Sequence, residues 1–308
     1  MRGVLGPDPS DLKEMVILNR VVHWSDDGLS IEADPRHVEM ILKEIGMEGA
    51  HGANCIGDIT QAEDGDNVAL DQSEAREYRS MAARMNFLAA DRMDIQFACK
   101  EVCRRMSQPT VADWKRVKKV ARYLRRFPRM MTHFRFQEPV KEIRVHVDSD
   151  YAGCKTSRKS TSGGIVMMGS HIIKHWASTQ VLVALSSGEA EFYALVKGVC
   201  EGLGVRSLDR DLGGRGLGVL LNTDSSAAEG IACRRGVGRV KHLETRTLWV
   251  QDHVTRGDVR VAKVSGESNI ADLLTKYLGP SKLRSLLSMT PTSMQPGRSS
   301  LIPSLQGQ

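Results

Sequence analysis

Ile143-Arg144-Val145-His146-Val147-Asp148-Ser149-Asp150 is the stretch whose reading decides the fold of this chain. Ile143, Val145 and Val147 alternate with polar residues, the period of a half-buried strand, and Asp148 falls where the alternation ends. Downstream, residues 163–168 and 172–176 flank Gly169-Ser170-His171 and read as an antiparallel hairpin. Ser186 or Ser187 can cap the next helix, which carries Glu189 and Glu191 in its first turns and buries Ala194, Leu195 and Val199. Val219-Leu220-Leu221-Asn222-Thr223 is a short apolar strand that delivers Asp224 to its C-terminal end. Residues 259–264 form a last strand, and Asp272 opens a final helix after a short loop. Strand, hairpin, helix, strand, strand and helix predict an α/β domain with a mixed sheet flanked by helices.

Asp148, Glu191, Asp224 and Asp272 all sit at element junctions, where a fold can gather them into one pocket. Gathered carboxylates repel one another and are costly to bury unless a cation neutralises them. Oxygen-only ligands favour Mg²⁺ or Mn²⁺ over zinc. A pair of such ions is common apparatus for cutting a phosphodiester bond. Glu191 is preferred to Glu189 because two residues on a helix turn the side chain by about 200°. Asp148 is preferred to Asp150, which is placed for an Asx turn or for support behind the ligands.

Composition narrows the class. The 308 residues predict two domains, and 41% hydrophobic residues suffice for packed cores. A formal charge of +6 suits an anionic partner. No apolar run reaches membrane-spanning length and no signal peptide opens the chain, so an intracellular protein is expected, cytoplasmic or nuclear. Six scattered cysteines form no zinc pattern and read as free thiols.

Upstream of residue 141 the pattern changes. Asp26-Asp27-Gly28 between apolar stretches predicts a hairpin turn, followed by a helix whose Val38, Ile41, Leu42 and Ile45 share one face. Residues 48–73 read as loop and 74–128 as two or three helices. One of these helices, residues 110–126, is densely basic: between Asp113 and Arg129 eight basic residues face Asp113 alone. Its Trp114, Val117, Val120, Ala121 and Leu124 recur at helical spacing, so the cations occupy the outer face. Lys115, Lys118, Lys119 and Arg122 are candidate contacts to a nucleic-acid backbone. Beyond Gly279 the prolines, serines and glutamines predict a disordered tail over 280–308.

Six ordered segments make the chain recognisable. They are residues 147–153, Arg158-Lys159-Ser160-Thr161-Ser162-Gly163-Gly164, residues 184–195, Asn222-Thr223-Asp224-Ser225-Ser226-Ala227, Val240-Lys241-His242-Leu243, and Ala271-Asp272-Leu273-Leu274-Thr275-Lys276. In this order and spacing they resemble the ribonuclease H domain of copia-type retrotransposon polyproteins. Residues 78–81, 92–98 and 114–125 resemble the end of the same family's reverse transcriptase. The resemblance covers about residues 12–279. It implies a ribonuclease H-like domain over 141–279, a palm-end remnant over 1–47 and a mostly helical thumb or connection remnant over 48–140.

By the same resemblance Asp148, Glu191, Asp224 and Asp272 match the family's metal-binding catalytic acids, with two Mg²⁺ ions as cofactors and Mn²⁺ as an alternative. Arg158, Lys159 and His242 are further candidates for contact with nucleic acid. The implied activity is hydrolysis of the RNA strand of an RNA–DNA hybrid. The alternative is an inactive nucleic-acid-binding remnant. DNA synthesis is not expected, since the catalytic palm acids have no counterpart and Trp24-Ser25-Asp26-Asp27 reads as a turn. Gly202, Gly204, Gly213, Gly214, Gly216 and Gly218 crowd the end of the domain's long helix and predict a looser scaffold.

Overall fold

The computed structural model describes residues 3–57, 67–236, 238 and 248–302. The chain divides into two units. One comprises residues up to Phe136 together with those from Tyr277 onward; the other runs from Gln137 to Lys276.

Within the second unit, β5 (Glu142–Asp150), β6 (Thr161–Met168), β7 (His171–Thr179), β8 (Gly218–Thr223) and β9 (Val259–Lys263) form one sheet in the order β7-β6-β5-β8-β9. β5 pairs antiparallel with β6 and parallel with β8, and β8 pairs parallel with β9. This is the ribonuclease H-like mixed sheet that the resemblance implies. The parallel pairing of β5 with β8 ends at His146↔Asn222. β5 continues to Asp150 against β6 alone, so Asp148, opposite Gly163, projects just past the paired carboxyl ends. Ligand crevices of open α/β sheets lie at such ends.

The long helix α5 (Ser187–Asp211) covers one face, with α6 (Ser226–Cys233) and α7 (Trp249–Thr255) beside it. Its N-cap is Ser186, whose hydroxyl accepts from the Glu189 amide at 3.2 Å. Ile143, Val145, Val147, Val166, Phe192, Leu195, Val199 and Leu221 form the core between them, all fully buried. The glycines of α5 have a use that its sequence did not reveal. A Cβ on Gly198 would stand 2.5 Å from Val147 Cγ1, and one on Gly202 would stand 2.7 Å from Val219 Cγ1. They let the helix backbone settle onto β5 and β8. Gly204, exposed and with nothing near its missing Cβ, is the loosening kind.

The first unit joins helices to a sheet. It contains a five-stranded antiparallel sheet built from β1 (Glu14–Ile17), β2 (Arg20–Ser25), β3 (Gly28–Glu32), β4 (Arg129–Arg135) and β10 (Thr292–Gln295), in that order. Its helices are α1 (Arg36–Glu44), α2 (Gln72–Ala89), α3 (Met93–Cys103), α4 (Val111–Arg126) and α8 (Pro280–Ser288). Asp26 and Asp27 form the exposed β2–β3 turn. Gly28 there takes φ +138°, with the Phe134 carbonyl 2.2 Å from where a Cβ would be.

The segment expected to be disordered from residue 280 instead carries α8 and β10. Pro280 stands in the first turn, Leu283 and Leu286 bury one face, and Thr292–Gln295 pairs with β4. A strand partner 160 residues away supplies order that local Pro and Ser content does not announce. No helix among the described residues is long and apolar enough to cross a membrane.

Contact decides the sign of glycine substitutions in α5. Gly204→Ala is expected to stabilise by about 0.5–1 kcal/mol, as in any exposed helix interior. Gly198→Ala is expected to destabilise by about 1–3 kcal/mol through overpacking. Urea melts of both variants check the pair, and equal effects would refute the close-packing account.

Candidate metal centre

Three of the four sequence-selected acids meet. Asp148 on β5, Glu191 in the second turn of α5 and Asp224 immediately after β8 each offer a carboxylate oxygen, and these oxygens lie within 4.8 Å of one another. The local chemistry holds each in place. Thr223 Oγ1 accepts from the Ser225 amide at 3.1 Å, and Ser225 caps α6, which fixes the turn bearing Asp224. Gly266 faces that carboxylate, its missing Cβ 3.1 Å from Asp224 Oδ2. Glu191 Oε1 accepts from the Ser149 amide at 3.4 Å, while its buried Oε2 has no hydrogen-bond partner among the described residues. Glu189 faces elsewhere: it accepts from the Leu185 amide at 2.8 Å and the Tyr193 hydroxyl at 2.7 Å, fastening the helix start.

Asp272 is not in that group. It lies in a 3₁₀ turn, Ile270–Leu274, rather than at the head of an α-helix. Its Oδ1 takes the Lys276 ammonium at 2.6 Å, and the same ammonium stands 3.3 Å from Asp148 Oδ2. Thr275 Oγ1 also donates to Asp148. Asn269 ties this segment to the sheet through Nδ2 to the Val147 carbonyl at 2.9 Å. Gly163 lets the turn lie against β6, with Leu274 Cβ only 2.8 Å from where its own Cβ would be. Sequence reasoning gave Lys276, Thr275 and Asn269 no role. The Asp272/Lys276 spacing of four was a visible signal, but the reach to Asp148 was not.

Electrostatics follow from burial. Loss of water pushes Asp148 up to about 7 despite the pull of Lys276, with Asp272 and Asp224 adding repulsion. Burial pushes Glu191 up to about 8, reinforced by the charges of Asp148 and Asp224. Lys276 is disfavoured as a cation by burial, but Asp148 and Asp272 outweigh this and hold it above the ordinary lysine value. Three crowded carboxylates, one of which has a buried oxygen without a donor among the described residues, make a donor set that fits a hard divalent cation.

The remaining candidates fall elsewhere. Arg158 is exposed and left-handed at φ +56°, and Lys159 is half-buried, both on the β5–β6 loop. Asp150 fastens that loop by accepting from the Thr161 amide, and Ser160 Oγ accepts from the Ala152 amide at 2.9 Å. Lys115, Lys118 and Arg122 are exposed on α4, whereas Lys119 is half-buried. Tyr123, which the sequence reading left out of the inward face of α4, is fully buried. His242 lies outside the described residues.

Comparison with known proteins adds ancestry to this geometry. No protein-family model matches the chain. Over 210 residues it is 30% identical to the retrovirus-related Pol polyprotein from transposon RE1 of Arabidopsis thaliana, covering 67% of this chain and 14% of that one. Over 204 residues it is 28% identical to the corresponding polyprotein from transposon TNT 1-94 of Nicotiana tabacum, 66% and 15% of the two chains. Over two thirds of its length the chain is similar to copia-type retrotransposon Pol polyproteins.

An uncharacterised mitochondrial protein of Arabidopsis thaliana is 36% identical over 121 residues, 39% of this chain and 49% of that one. The chain thus spans about half of one curated relative and about a seventh of the polyproteins. Among solved structures, the N-terminal RNase H domain of Rv2228c from Mycobacterium tuberculosis aligns at TM-score 0.32 and 16% identity, over 48% of this chain and 96% of that domain. The foamy viral protease-reverse transcriptase solved with dsDNA aligns at 0.49 and 10%, over 83% and 46%.

The raised carboxyls set a pH dependence. Asp148 and Glu191 titrate at about 7 and about 8 in the fold against ordinary values of 3.8 and 4.5. Between those limits the native state keeps protons that the unfolded chain has released, so stability falls as pH rises. Glu191→Gln is therefore expected to stabilise the metal-free protein by at least about 1 kcal/mol near pH 8 and by much less near pH 5. Thermal melts in EDTA check this; a gain independent of pH would count against a buried, repelled carboxylate.

Proposed function

We propose that the second unit is a metal-dependent ribonuclease acting on the RNA strand of RNA–DNA hybrids. The observation that carries the reading is the convergence of Asp148, Glu191 and Asp224 within 4.8 Å at the carboxyl ends of β5 and β8. When bound, Mg²⁺ or Mn²⁺ supplies the Lewis acidity that brings a water pKa toward neutrality and balances charge on a phosphodiester.

Everything else in the site is the work of the chain. Asp148, Glu191 and Asp224 would hold the cation. The unpartnered Oε2 of Glu191 is ready to coordinate without first breaking a hydrogen bond. Thr275 and Asn269 keep Asp148 in place through the turn beneath it. Use of Asp272, and of a second ion, requires Lys276 to exchange its ion pairs with the two aspartates. Arg158 and Lys159 lie on the loop that follows Asp148, suited to the backbone or the 2′-hydroxyl of a substrate strand. Lys115, Lys118 and Arg122 on α4 offer non-specific backbone contacts.

One observation favours a second reading, a binding remnant without catalysis. Lys276 already pairs with both Asp148 and Asp272, so one of their two charges is cancelled without an ion.

Cleavage of a labelled RNA–DNA hybrid separates the readings. Wild-type protein is expected to cut in Mg²⁺ and not in EDTA. Asp224→Asn, which keeps the shape but removes a ligand charge, is expected to reduce cutting by at least about 100-fold while binding persists. Equal cutting by both proteins would place the activity outside this site. Binding with no cutting by either would leave the remnant reading. Triple reversal of Lys115, Lys118 and Arg122 to Glu is expected to weaken hybrid binding and lower its salt slope by about 3, one per lost phosphate contact. An unchanged slope in fluorescence-anisotropy titrations would mark the face as merely solvated.

A further inference from the structure

The first unit contains a cleft of about 640 Å³ that is separate from the carboxylate site. One wall is α1, contributing Pro35, Val38 and Glu39; the other is the end of α4, contributing Arg125 and Arg126, with Pro128 beyond it. Residues 50–52 close one side and Arg298 the other. The loop is held by the Ala53 amide donating to the Arg122 carbonyl at 3.0 Å. Gly52 lies so near α4 that a Cβ would be 2.8 Å from Arg126 Cβ.

Charge in the cleft is unevenly spent. Arg129 forms a two-pronged pair with Glu32 at 2.6 and 2.7 Å, and Arg298 pairs with Glu39. Arg125 donates Nε to the Glu48 carbonyl at 2.7 Å, a bond that leaves its charge uncancelled. Arg126 is exposed, and among the described residues no hydrogen bond or ion pair engages its guanidinium. Two unbalanced guanidiniums therefore face a cavity whose opposite wall carries a proline and a valine. A guanidinium recognises phosphate oxygens in a planar, two-pronged way. The volume falls in the range of small-ligand sites, and apolar walls suit a base or a sugar face. Leading away from the cleft, Arg126, Arg122 and Lys118 follow one another about 6 Å apart along the helix axis.

We propose that this cleft binds one nucleotide, its phosphate on Arg125 and Arg126 and its base or sugar against Pro35, Val38 and Pro128. The nucleotide is either a free one or a unit of a strand whose continuing backbone lies along Lys118 and Arg122. The site does not depend on the nuclease reading.

Binding is measured by calorimetry on the full chain in EDTA, which silences the carboxylate site, with pyrophosphate, a nucleoside monophosphate and a short single-stranded oligonucleotide. Arg126→Glu is expected to weaken nucleotide or oligonucleotide binding about tenfold or more, and Arg126→Lys only in part. Arg76→Glu makes the same charge change on exposed α2 outside the cleft and is expected to cost about twofold at most. Ala50→Trp, which fills the cleft at constant charge, is expected to abolish binding as well. A monophosphate bound as tightly as the oligonucleotide identifies a free-nucleotide site; a much tighter oligonucleotide identifies a strand site. The proposal is overturned if no nucleotide binds, if Arg126→Glu and Arg76→Glu act alike, if Ala50→Trp has no effect, or if pyrophosphate binds as tightly as either nucleotide ligand. Hybrid cleavage in Mg²⁺, measured separately, is expected to continue in Ala50→Trp, so failure of the cleft and failure of the nuclease reading can be told apart.

Discussion

The mutual repulsion of carboxylates in a desolvated crevice is the constraint on which the second unit turns. Asp148, Glu191 and Asp224 come from a strand, a helix and a strand end, and no local interaction would bring them together. Packing of α5 on β5 and the parallel pairing of β5 with β8 impose the meeting, and the raised carboxyls of Asp148 and Glu191 record its cost. The chain relieves part of that cost with a single lysine. Lys276 bridges Asp148 and Asp272, so the fourth acid is held by a cation that belongs to the fold. The crowding that remains is compatible with a divalent ion.

Glycines make that crowding sterically achievable. Gly198 and Gly202 bring α5 down onto Val147 and Val219, which places Glu191, two turns earlier, beside the end of β5. Gly163 does the same for the 3₁₀ turn carrying Asp272 and leading to Lys276, and Gly266 for the loop against Asp224. Residues that would weaken an isolated helix or strand here set the distances among acids. The backbone entropy they cost is offset by burial of a continuous aliphatic core.

The first unit follows a different logic. Its sheet closes only when the chain returns after residue 276, because β10 is the outer partner of β4. Its outward chemistry is cationic: α4 buries Val117, Val120, Tyr123 and Leu124 and presents Lys115, Lys118 and Arg122 to solvent. Charge density on one helix face is the general signature of a polyanion partner. Acids hold Arg129 and Arg298 in structural pairs, while Arg126 stays available.

Much of this was legible in the residues themselves. Alternation in Ile143–Asp150, the Ser186 cap and the apolar run before Asp224 report on local faces, which is why the strands and α5 could be read directly, while the same junction reading put four acids together where the structure groups three. Glu191 could be separated from Glu189 because helix geometry alone turns them apart. Only the tertiary structure decided that Lys276 reaches Asp148 across 128 residues, and that Gly198 is a contact rather than a weakness. It likewise decided that a Pro- and Ser-rich ending becomes a helix and an edge strand. The physical reason is common to all three. Periodicity encodes which face of an element is buried, whereas an ion pair, a Cβ-free contact or a ladder partner depends on what a distant segment places there.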